Sequence, residues 1–307
     1  MKKIILLFLA LVMLLNVSCS GTSDVSVTPR QSRTYLIAGI DDAAENTDVL
    51  ILAAYNMADG TSTVVHIPRD TFCKYGGKYR KINSIFPYER NKGATKDEAM
   101  SYLASYISDT FGVVIDGYFC IDRETLIEAV DLMGGVNIEL DRELLIKGAQ
   151  GEILLELNAG ENHLNGEQVA RFVRYRKGYT DGDLGRINAQ KMFLSALFRR
   201  AQKDMGIDDA ARMYVAIMPR IITNVGVTEL FEILFNARIN KGKKDADCIT
   251  LPGEALTVDD ASFYVIHRKS AAELFYRDFS LTNKGFDSER LLTDKSNRAV
   301  EDIYGTI

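Results

Sequence analysis

Residues suited to metal centres and disulfide frameworks are scarce in this sequence. It contains four cysteines and three histidines among 307 residues. The histidines are too far apart to form a metal-binding motif, and no Cys-x-x-Cys pair or Cys/His spacing indicates zinc. Once Cys19 near the N-terminus is set aside, Cys73, Cys120 and Cys248 cannot all pair within one chain. We expect these three to be buried or incidental, with room for one disulfide among them.

Common signatures of nucleotide-binding and acyl-transfer enzymes are also absent. The sequence has no Gly-x-Gly-x-x-Gly loop, no Walker phosphate loop and no Gly-x-Ser-x-Gly elbow. The Gly76-Gly77-Lys78 segment lacks the flanking residues of a phosphate loop and is predicted to be a turn. A formal net charge of -5 and a pI of about 5.4 argue against non-specific nucleic-acid binding, which needs a net basic surface.

The N-terminus has the pattern of an export signal. Two lysines precede an apolar run from Ile4 to Leu15, which is short for a membrane-spanning helix of about 20 residues and typical of a signal peptide. The small residues before Cys19 resemble a lipoprotein signal, in which that cysteine is lipidated. Cleavage after Ser20 and retention as an anchor are the alternatives. Residues 1–20 are therefore predicted to be a signal peptide, a lipoprotein signal or a membrane anchor.

The remaining sequence predicts one α/β domain over residues 33–280. Its hydrophobic content of 47% and charged content of 26% are those of an ordinary globular protein. Residues 21–32 are polar and are predicted to be a linker. Residues 281–307 are predicted to be a polar, loosely held C-terminal extension.

Local patterns predict the elements of this domain. Two apolar, β-rich runs flank Asp59-Gly60, which is a hairpin turn signal. Thr95 begins a helix capping box, and Asn165 starts a further short helix. Residues 118–140 show a strand, a helix and an alternating strand, which predicts a β-α-β unit.

Cationic residues are concentrated between Arg171 and Gln190. Arg174 and Arg176 are two apart, so on the strand predicted there both would point to one face. Arg186 and Gln190 are four apart and would share one face of the following helix. Arginine presents a planar fork of donors that matches phosphate or carboxylate, so the set would suit a diphosphate. The alternative is a solvated basic face paired with nearby acidic residues.

Charged residues also stand at the ends of predicted strands, where α/β sheets place their active sites. Asp41 ends the first strand and Asp48 precedes the second; Arg69 and Asp70 follow the third, and Lys81 lies in the loop beyond. Two carboxylates and several cations suit a metal-bound diphosphate, because a hard divalent cation takes oxygen ligands from carboxylates and phosphates. Taken singly, each residue also has a structural explanation, such as a turn cap, an ion pair or a surface lysine.

The segments that carry these residues resemble the LytR-CpsA-Psr family of bacterial envelope proteins. The matching segments follow the family's order over most of residues 35–200 and are LIAGIDD (36–42), TDVLIL (47–52), HIPRD (66–70), KIN (81–83), DLMGGVNIEL (131–140) and LNAGENHLNGEQVARFVRYRKGYTDGDLGRINAQ (157–190). The resemblance implies an α-β-α fold, in which helices flank a central mixed β-sheet.

The resemblance also implies an activity. Members are taken to transfer glycopolymers, such as teichoic acids or capsular polysaccharides, from a polyprenyl diphosphate carrier to peptidoglycan. Asp41 and Asp48 would hold Mg²⁺ (or Mn²⁺). The diphosphate would be bound by Arg69, Lys81, Arg174, Arg176, Arg186 and Gln190. The candidate catalytic residues would be Arg69, Asp70, Arg174 and Arg176, with Asp70 either orienting Arg69 or helping to accept the hydroxyl proton.

The implied partners are a polyprenyl diphosphate-linked glycan, peptidoglycan and the membrane surface, without nucleic acid. The implied location is the extracytoplasmic face of the membrane, with the protein anchored, lipidated at Cys19 or secreted. The alternatives are a diphosphatase, a non-catalytic lipid-diphosphate binding protein and, least compatible with export, a transcriptional attenuator. The sequence departs from the family at His66, where serine is frequent, and at Asn46, near which an arginine is usual.

Overall fold

A six-stranded sheet lies at the centre of the protein in the computed structural model, which describes residues 32–41, 46–175, 183–204, 207–239, 247–258, 261–282 and 287. In chain order, the strands are β1 (Ser32–Ile40), β2 (Thr47–Asn56), β3 (Ser62–His66), β4 (Phe72–Tyr75), β5 (Lys78–Lys81), β6 (Gly117–Ile121), β7 (Val136–Leu140), β8 (Leu144–Lys147), β9 (Ile153–Leu157), β10 (Gly160–Leu164), β11 (Ile222–Thr223), β12 (Asp247–Thr250), β13 (Gly253–Val258) and β14 (Ala261–Ile266). The α-helices are α1 (Ile85–Asn91), α2 (Lys96–Phe111), α3 (Arg123–Leu132), α4 (Gly166–Phe172), α5 (Asp183–Asp204), α6 (Ile207–Ile217), α7 (Val227–Ile239) and α8 (Arg268–Asp278).

The central sheet is mixed, with the strand order β11-β6-β1-β2-β3-β12. β1, β2 and β3 are antiparallel neighbours, whereas β6 runs parallel to β1 and β12 runs parallel to β3. The turn between β2 and β3 falls at Asp59-Gly60 as predicted, and Gly60 takes a φ of 73° that favours glycine. The predicted α/β class, with a central mixed sheet flanked by helices, is confirmed.

The prediction that residues 118–140 form one β-α-β unit is wrong. β6 joins the central sheet, and α3 follows with Asp122 as its N-cap. β7 instead pairs antiparallel with β10 in a separate two-stranded sheet. The alternation of Val136, Ile138 and Leu140 identified a strand, but a period of two does not specify which strand is its partner.

Two apolar cores hold the helices in place. The first lies on one face of the central sheet, beneath α1, α2 and α8, and includes Leu36, Leu50, Val65, Leu103 and Phe275. The second lies among α3, α4, α5 and the two small sheets of β7–β10, and includes Val130, Ile138, Leu155, Phe172 and Phe193. α5 therefore belongs to the second core, although it also reaches the central sheet.

The other face of the central sheet is turned toward α5 and α7. Because side chains alternate along a strand, Ile37, Ile51 and His66 share this face in one row across β1, β2 and β3. α7 is bound to the face by a 2.6 Å hydrogen bond from Tyr35 Oη to Glu229 Oε1. The two faces of the sheet thus pack against different sets of helices.

Helix ends follow the local signals in the sequence. Thr95 caps α2 in a complete capping box, and Gly112 ends that helix in the left-handed conformation, with a φ of 66°. Asn165 caps α4 in the same way, with its side chain accepting a hydrogen bond from the Gln168 amide at 3.0 Å. These short-range interactions need no tertiary context, so the sequence predicts them well.

The three cysteines of the described domain form no disulfide. Cys73 and Cys120 are buried, Cys248 is half-buried, and all three remain thiols outside any disulfide. Burial raises the pKa of the Cys73 thiol to about 12, so this side chain stays protonated. Cys73 and Cys120 therefore act as small apolar groups of the first core.

Most of both terminal segments lies outside the described residues. These include the predicted export signal and nearly all of the predicted linker. The beginning of the 281–307 extension is held against the end of α2, because the Thr282 amide donates to the Gly112 carbonyl at 2.7 Å. Among the described helices, none has the length and apolar character needed to cross a membrane. The domain limits at residues 33 and 280 remain predictions.

We expect Asn165→Ala to lower thermal stability, because it removes the side-chain acceptor that caps α4. Loss of an N-cap costs about 1 kcal/mol, which corresponds to a decrease in Tm of roughly 2–4 °C in a domain of this size. Asn188→Ala is the control, since Asn188 is an exposed residue of α5. Scanning calorimetry should show an unchanged or raised Tm for the control, and equal Tm values for the two variants would contradict the capping role.

Candidate functional site

The two residues predicted to bind a metal ion lie where β1 ends and β2 begins. Ile40 pairs with Thr47 across the hairpin. The amides of Asp41 and Asp48 both donate to the Asn46 carbonyl, each at 3.1 Å. This shared acceptor places the two residues at one edge of the central sheet, which is also the edge where β3 ends.

Four charged side chains form a continuous chain of ion pairs at this edge. We call Asp48, Arg69, Asp70 and Lys81 the rim network. Arg69 Nη1 lies 2.6 Å from Asp48 Oδ1, and Arg69 Nε lies 3.9 Å from Asp70 Oδ2. Lys81 Nζ lies 3.0 Å from Asp70 Oδ1. The Arg69 and Lys81 side chains are 19% and 31% exposed, so both cations remain accessible to a ligand.

Backbone hydrogen bonds explain why these distant residues meet. After β3, the Thr71 amide donates to the Pro68 carbonyl at 3.0 Å and closes a turn that contains Arg69. The β4–β5 hairpin then returns the chain to this turn, where the Asn83 amide donates to the Arg69 carbonyl at 3.2 Å. Lys81 at the end of β5 is thereby brought beside the rim.

The arginine-rich segment begins in a helix and a turn, and the strand predicted there is not found as far as Tyr175, where the described residues stop. The capping box at Asn165 starts a helix that runs through Phe172, so Arg171 lies in its last turn. Arg174 follows in a turn and is exposed. Arg176 lies outside the described residues, so the prediction that it faces the same way as Arg174 is untested.

Arg186 and Gln190 are one turn apart in α5, as their spacing predicted. Both are buried, with 3% and 6% of their surface exposed. Gln190 Nε2 donates to the Val173 carbonyl at 3.2 Å, which links this part of α5 to the residue before Arg174. We call Arg174, Arg186 and Gln190 the helix group.

The direction of α5 relates the helix group to the rim network. Ser195 Oγ lies 3.8 Å from Cys248 Sγ, on the strand next to β3. Lys191 lies near enough to His66 for its charge to affect the pKa of the imidazole. Cys248 pairs with Val64, which lies further from the rim than His66 does. Lys191 is near His66 and Ser195 is near Cys248, so α5 runs away from the rim and its N-terminal end points toward the rim. The partial positive charge of a helix N-terminus therefore adds to that of Arg186.

Comparison with known proteins identifies the family. A model described as the LytR_cpsA_psr family matches residues 16–280. The chain belongs to the LytR-CpsA-Psr family. It is 24% identical over 250 residues to the polyisoprenyl-teichoic acid–peptidoglycan teichoic acid transferase TagU of Bacillus mycoides (strain KBAB4), covering 80% of this chain and 77% of that protein.

Solved structures share the fold described above. TagV of Bacillus subtilis matches with a TM-score of 0.66 at 23% identity, over 79% of this chain and 96% of that chain. TagT bound to LI-WTA matches with a TM-score of 0.63 at 18% identity, over 85% of this chain and 93% of that chain. These similarities confirm the α/β fold implied by the resemblance to the LytR-CpsA-Psr family.

The carboxylates at the rim fit a hard divalent cation that takes few ligands from the protein. Asp41 and Asp48 lie at one edge of the sheet and offer the oxygen donors that Mg²⁺ prefers. No group of three or more His, Cys, Asp or Glu side chains within the described residues could hold a metal ion. A cation bound by these two carboxylates would be completed by phosphate oxygens and water.

A polar pair on the sheet face below the rim was not recognised from the sequence. His66 is 2% exposed, and its Nε2 is buried without a hydrogen-bond partner among the described residues. Burial and the nearby charge of Lys191 lower the pKa of His66 to about 3. Burial also lowers the pKa of Lys191, which is half-buried on α5. The only signal in the sequence was the departure from the family's frequent serine at position 66.

We expect the stability of the protein to fall as the pH decreases from about 6.5 towards 3, because the imidazole of His66 stays neutral in the folded state and is protonated in the unfolded state. Between about pH 6.5 and 5, this difference lowers the free energy of unfolding by about 2 kcal/mol. His66→Ser removes the titrating group.

Denaturant unfolding of the wild type and His66→Ser at several pH values measures this effect. The stability advantage of the wild type over the variant should shrink as the pH falls. Parallel stability curves for the two proteins across this range would contradict a buried neutral imidazole.

Proposed function

We propose that this protein is an exported phosphotransferase that moves a glycopolymer from a polyprenyl diphosphate carrier to a sugar hydroxyl of peptidoglycan, forming a phosphodiester. The observation that carries the proposal is the rim network, in which accessible Arg69 and Lys81 lie beside two carboxylates. The TagU relative bears a name with the same substrate classes, teichoic acid and peptidoglycan. The glycopolymer would be a teichoic acid, a capsular polysaccharide or another wall polysaccharide.

In this proposal, the diphosphate lies between the rim network and the helix group. Arg69 and Lys81 approach it from the sheet, and Arg186 approaches from the N-terminal end of α5. Guanidinium groups suit phosphate because two parallel N–H donors match two oxygens. The full set of residues that would bind the diphosphate comprises Arg69, Lys81, Arg174, Arg176, Arg186 and Gln190.

Asp41 and Asp48 would hold Mg²⁺ or Mn²⁺ against the diphosphate. The bound cation would supply positive charge that stabilises the phosphate oxygens during transfer. Asp48 is in contact with Arg69, so the carboxylate is kept at the rim before any substrate binds. The rim carboxylates thus orient the cationic side chains as well as offering metal ligands.

The polyprenyl chain would lie in an apolar cleft between the central sheet and the helices α5 and α7. Ile37, Val49 and Phe119 project from this face and are only half-buried, although helices lie over it. Val49 directly follows Asp48, so the apolar face begins at the rim. A lipid diphosphate could therefore place its charged head at the rim and its chain in the cleft.

The proposed reaction is an attack by the acceptor hydroxyl on the glycan-proximal phosphorus. The hydroxyl oxygen bonds to that phosphorus, and the bond from the phosphorus to the bridging oxygen breaks. The electron pair remains on the bridging oxygen, polyprenyl phosphate leaves, and the hydroxyl proton ends in solvent. Positioned cations favour this step because they stabilise the charge on the phosphate oxygens without reorganising.

Asp70 fits the role of a positioning residue better than that of a base. Its two carboxylate oxygens lie 3.0 Å from Lys81 Nζ and 3.9 Å from Arg69 Nε, so each oxygen is engaged by a cation. We therefore assign Asp70 to the orientation of Arg69 and Lys81.

The proposed setting is the extracytoplasmic face of the membrane. The export pattern of residues 1–20 supports this location, with the protein anchored there, lipidated at Cys19 or secreted. The substrates also belong there, since peptidoglycan lies outside the membrane. A direct role in binding nucleic acid is not part of the proposal, because the protein carries a formal net charge of -5.

We expect the purified protein to release polyprenyl phosphate from a synthetic polyprenyl diphosphate sugar only when a peptidoglycan acceptor and Mg²⁺ are supplied. Arg186→Lys should lower the rate roughly 100-fold or more, because lysine keeps the charge but loses the forked donor set. Asp48→Asn and a chelator should each abolish turnover. Arg199→Lys is the matched control, since Arg199 is an exposed residue of the same helix.

Product analysis separates this proposal from its two rivals. Release of polyprenyl phosphate at the same rate without acceptor would indicate a diphosphatase. Tight binding of the lipid without turnover would indicate a non-catalytic binding protein. If Arg199→Lys lost as much activity as Arg186→Lys, the loss would not report on the site.

We expect Asp70→Asn to reduce kcat/KM roughly 10- to 100-fold while leaving the shape of the pH–rate profile unchanged. The variant keeps the size of the side chain but removes the charge that holds Arg69 and Lys81. Steady-state rates from about pH 5 to 9 would test this. Disappearance of the acid limb of the profile in the variant would show instead that Asp70 accepts the proton.

A further inference from the structure

Lys191 is a half-buried lysine of α5 near an apolar surface of the central sheet. It lies one turn before Ser195 on the side of α5 that faces the central sheet, where Ser195 Oγ is 3.8 Å from Cys248 Sγ. The nearest row of the sheet contains Ile51 and His66, both 2% exposed. An ammonium group in these surroundings loses much of its hydration, which is costly unless a counter-charge replaces it.

The described residues supply no such counter-charge. No carboxylate in this part of the chain forms an ion pair with Lys191, and burial shifts the pKa of its ammonium downward. His66 Nε2 is also buried without a hydrogen-bond partner among these residues. Buried polar atoms in native proteins nearly always have partners. The unpartnered His66 Nε2, with the Lys191 ammonium on a nearby helix, indicates a place for a ligand with acceptor oxygens.

The position of this polar pair indicates which part of a ligand it would meet. His66 pairs with Ile51, and Val49 lies between that row and Asp48 at the rim. The pair therefore lies on the apolar face of the sheet, just inside the rim network. A lipid diphosphate with its chain in the cleft would have its chain-bearing phosphate at this level, and its glycan-bearing phosphate further out.

We propose that Lys191 binds the phosphate that carries the polyprenyl chain, with His66 Nε2 as a second polar contact; this inference rests on the proposed function. Its contribution differs from that of the rim network, which would hold the phosphorus under attack. Lys191 would instead bind the group that leaves. Negative charge grows on that group as the bridging bond breaks, so a cation placed there favours the step.

The test uses the full-length protein in detergent and two soluble probes, geranylgeranyl diphosphate and geranylgeranyl monophosphate. Calorimetric titration should show that Lys191→Met weakens binding of both probes roughly 10- to 100-fold, because a charge-assisted contact to phosphate is lost. Lys191→Arg should bind within a few-fold of the wild type. Lys269→Met is the matched control, because Lys269 is an exposed lysine of α8.

Thermal unfolding without ligand provides a second measurement, which distinguishes a ligand-binding lysine from one that only supports the fold. Methionine removes an ammonium that lacks a counter-charge, so Lys191→Met should have an unchanged or raised Tm while its affinity falls. Unchanged affinity of Lys191→Met for both probes would overturn the inference and leave the rim site intact. A lower Tm together with weaker binding would also overturn it, since Lys191 would then support the fold. Failure of the wild type to bind either probe would overturn the proposed function itself.

Discussion

The ion pair between Arg69 and Asp48 is the interaction on which the arrangement of the site depends. It joins the start of β2 to the turn after β3, with 2.6 Å between the charged atoms. Asp70 and Lys81 extend the pair into an alternating chain, so each carboxylate is held by a cation before a ligand arrives. A diphosphate with a divalent cation carries both signs of charge. In the proposed function it could exchange partners with this network: phosphate oxygens would replace carboxylates at the cations, and metal would replace cations at the carboxylates.

The two cores of the protein explain how cations from distant parts of the chain are brought toward one edge of the central sheet. The first core fixes the central sheet and therefore the rim network. The second core fixes α5, through Ala189, Phe193 and Ala196, and therefore Arg186. α5 is the element that contacts both regions, because its remaining surface lies against the β12 edge of the sheet. Packing of one helix thus sets the width of the space that a substrate would occupy.

Some features of this region reduce stability and are easier to explain by function. His66 is a neutral imidazole on an apolar face of the sheet, and Lys191 is a half-buried ammonium. Burial lowers the pKa of both groups. Groups with perturbed pKa values gather at functional sites more often than elsewhere. Their position along one side of the proposed substrate space agrees with that tendency.

The sequence by itself determined the local elements, the class of the fold and the identity of most candidate site residues. Thr95 and Asn165 cap helices through contacts within four residues, and Asp41, Asp48 and Arg69 stand at strand ends that apolar runs delimit. Tertiary structure alone decided that β7 leaves the central sheet, that Asp70 lies between two cations, and that Lys191 is near enough to His66 to affect its pKa. The spacing of apolar residues shows which face of a helix or strand is apolar, but it does not show which other element will pack against that face. The cost of burying a charge depends on neighbours that only the folded chain brings together.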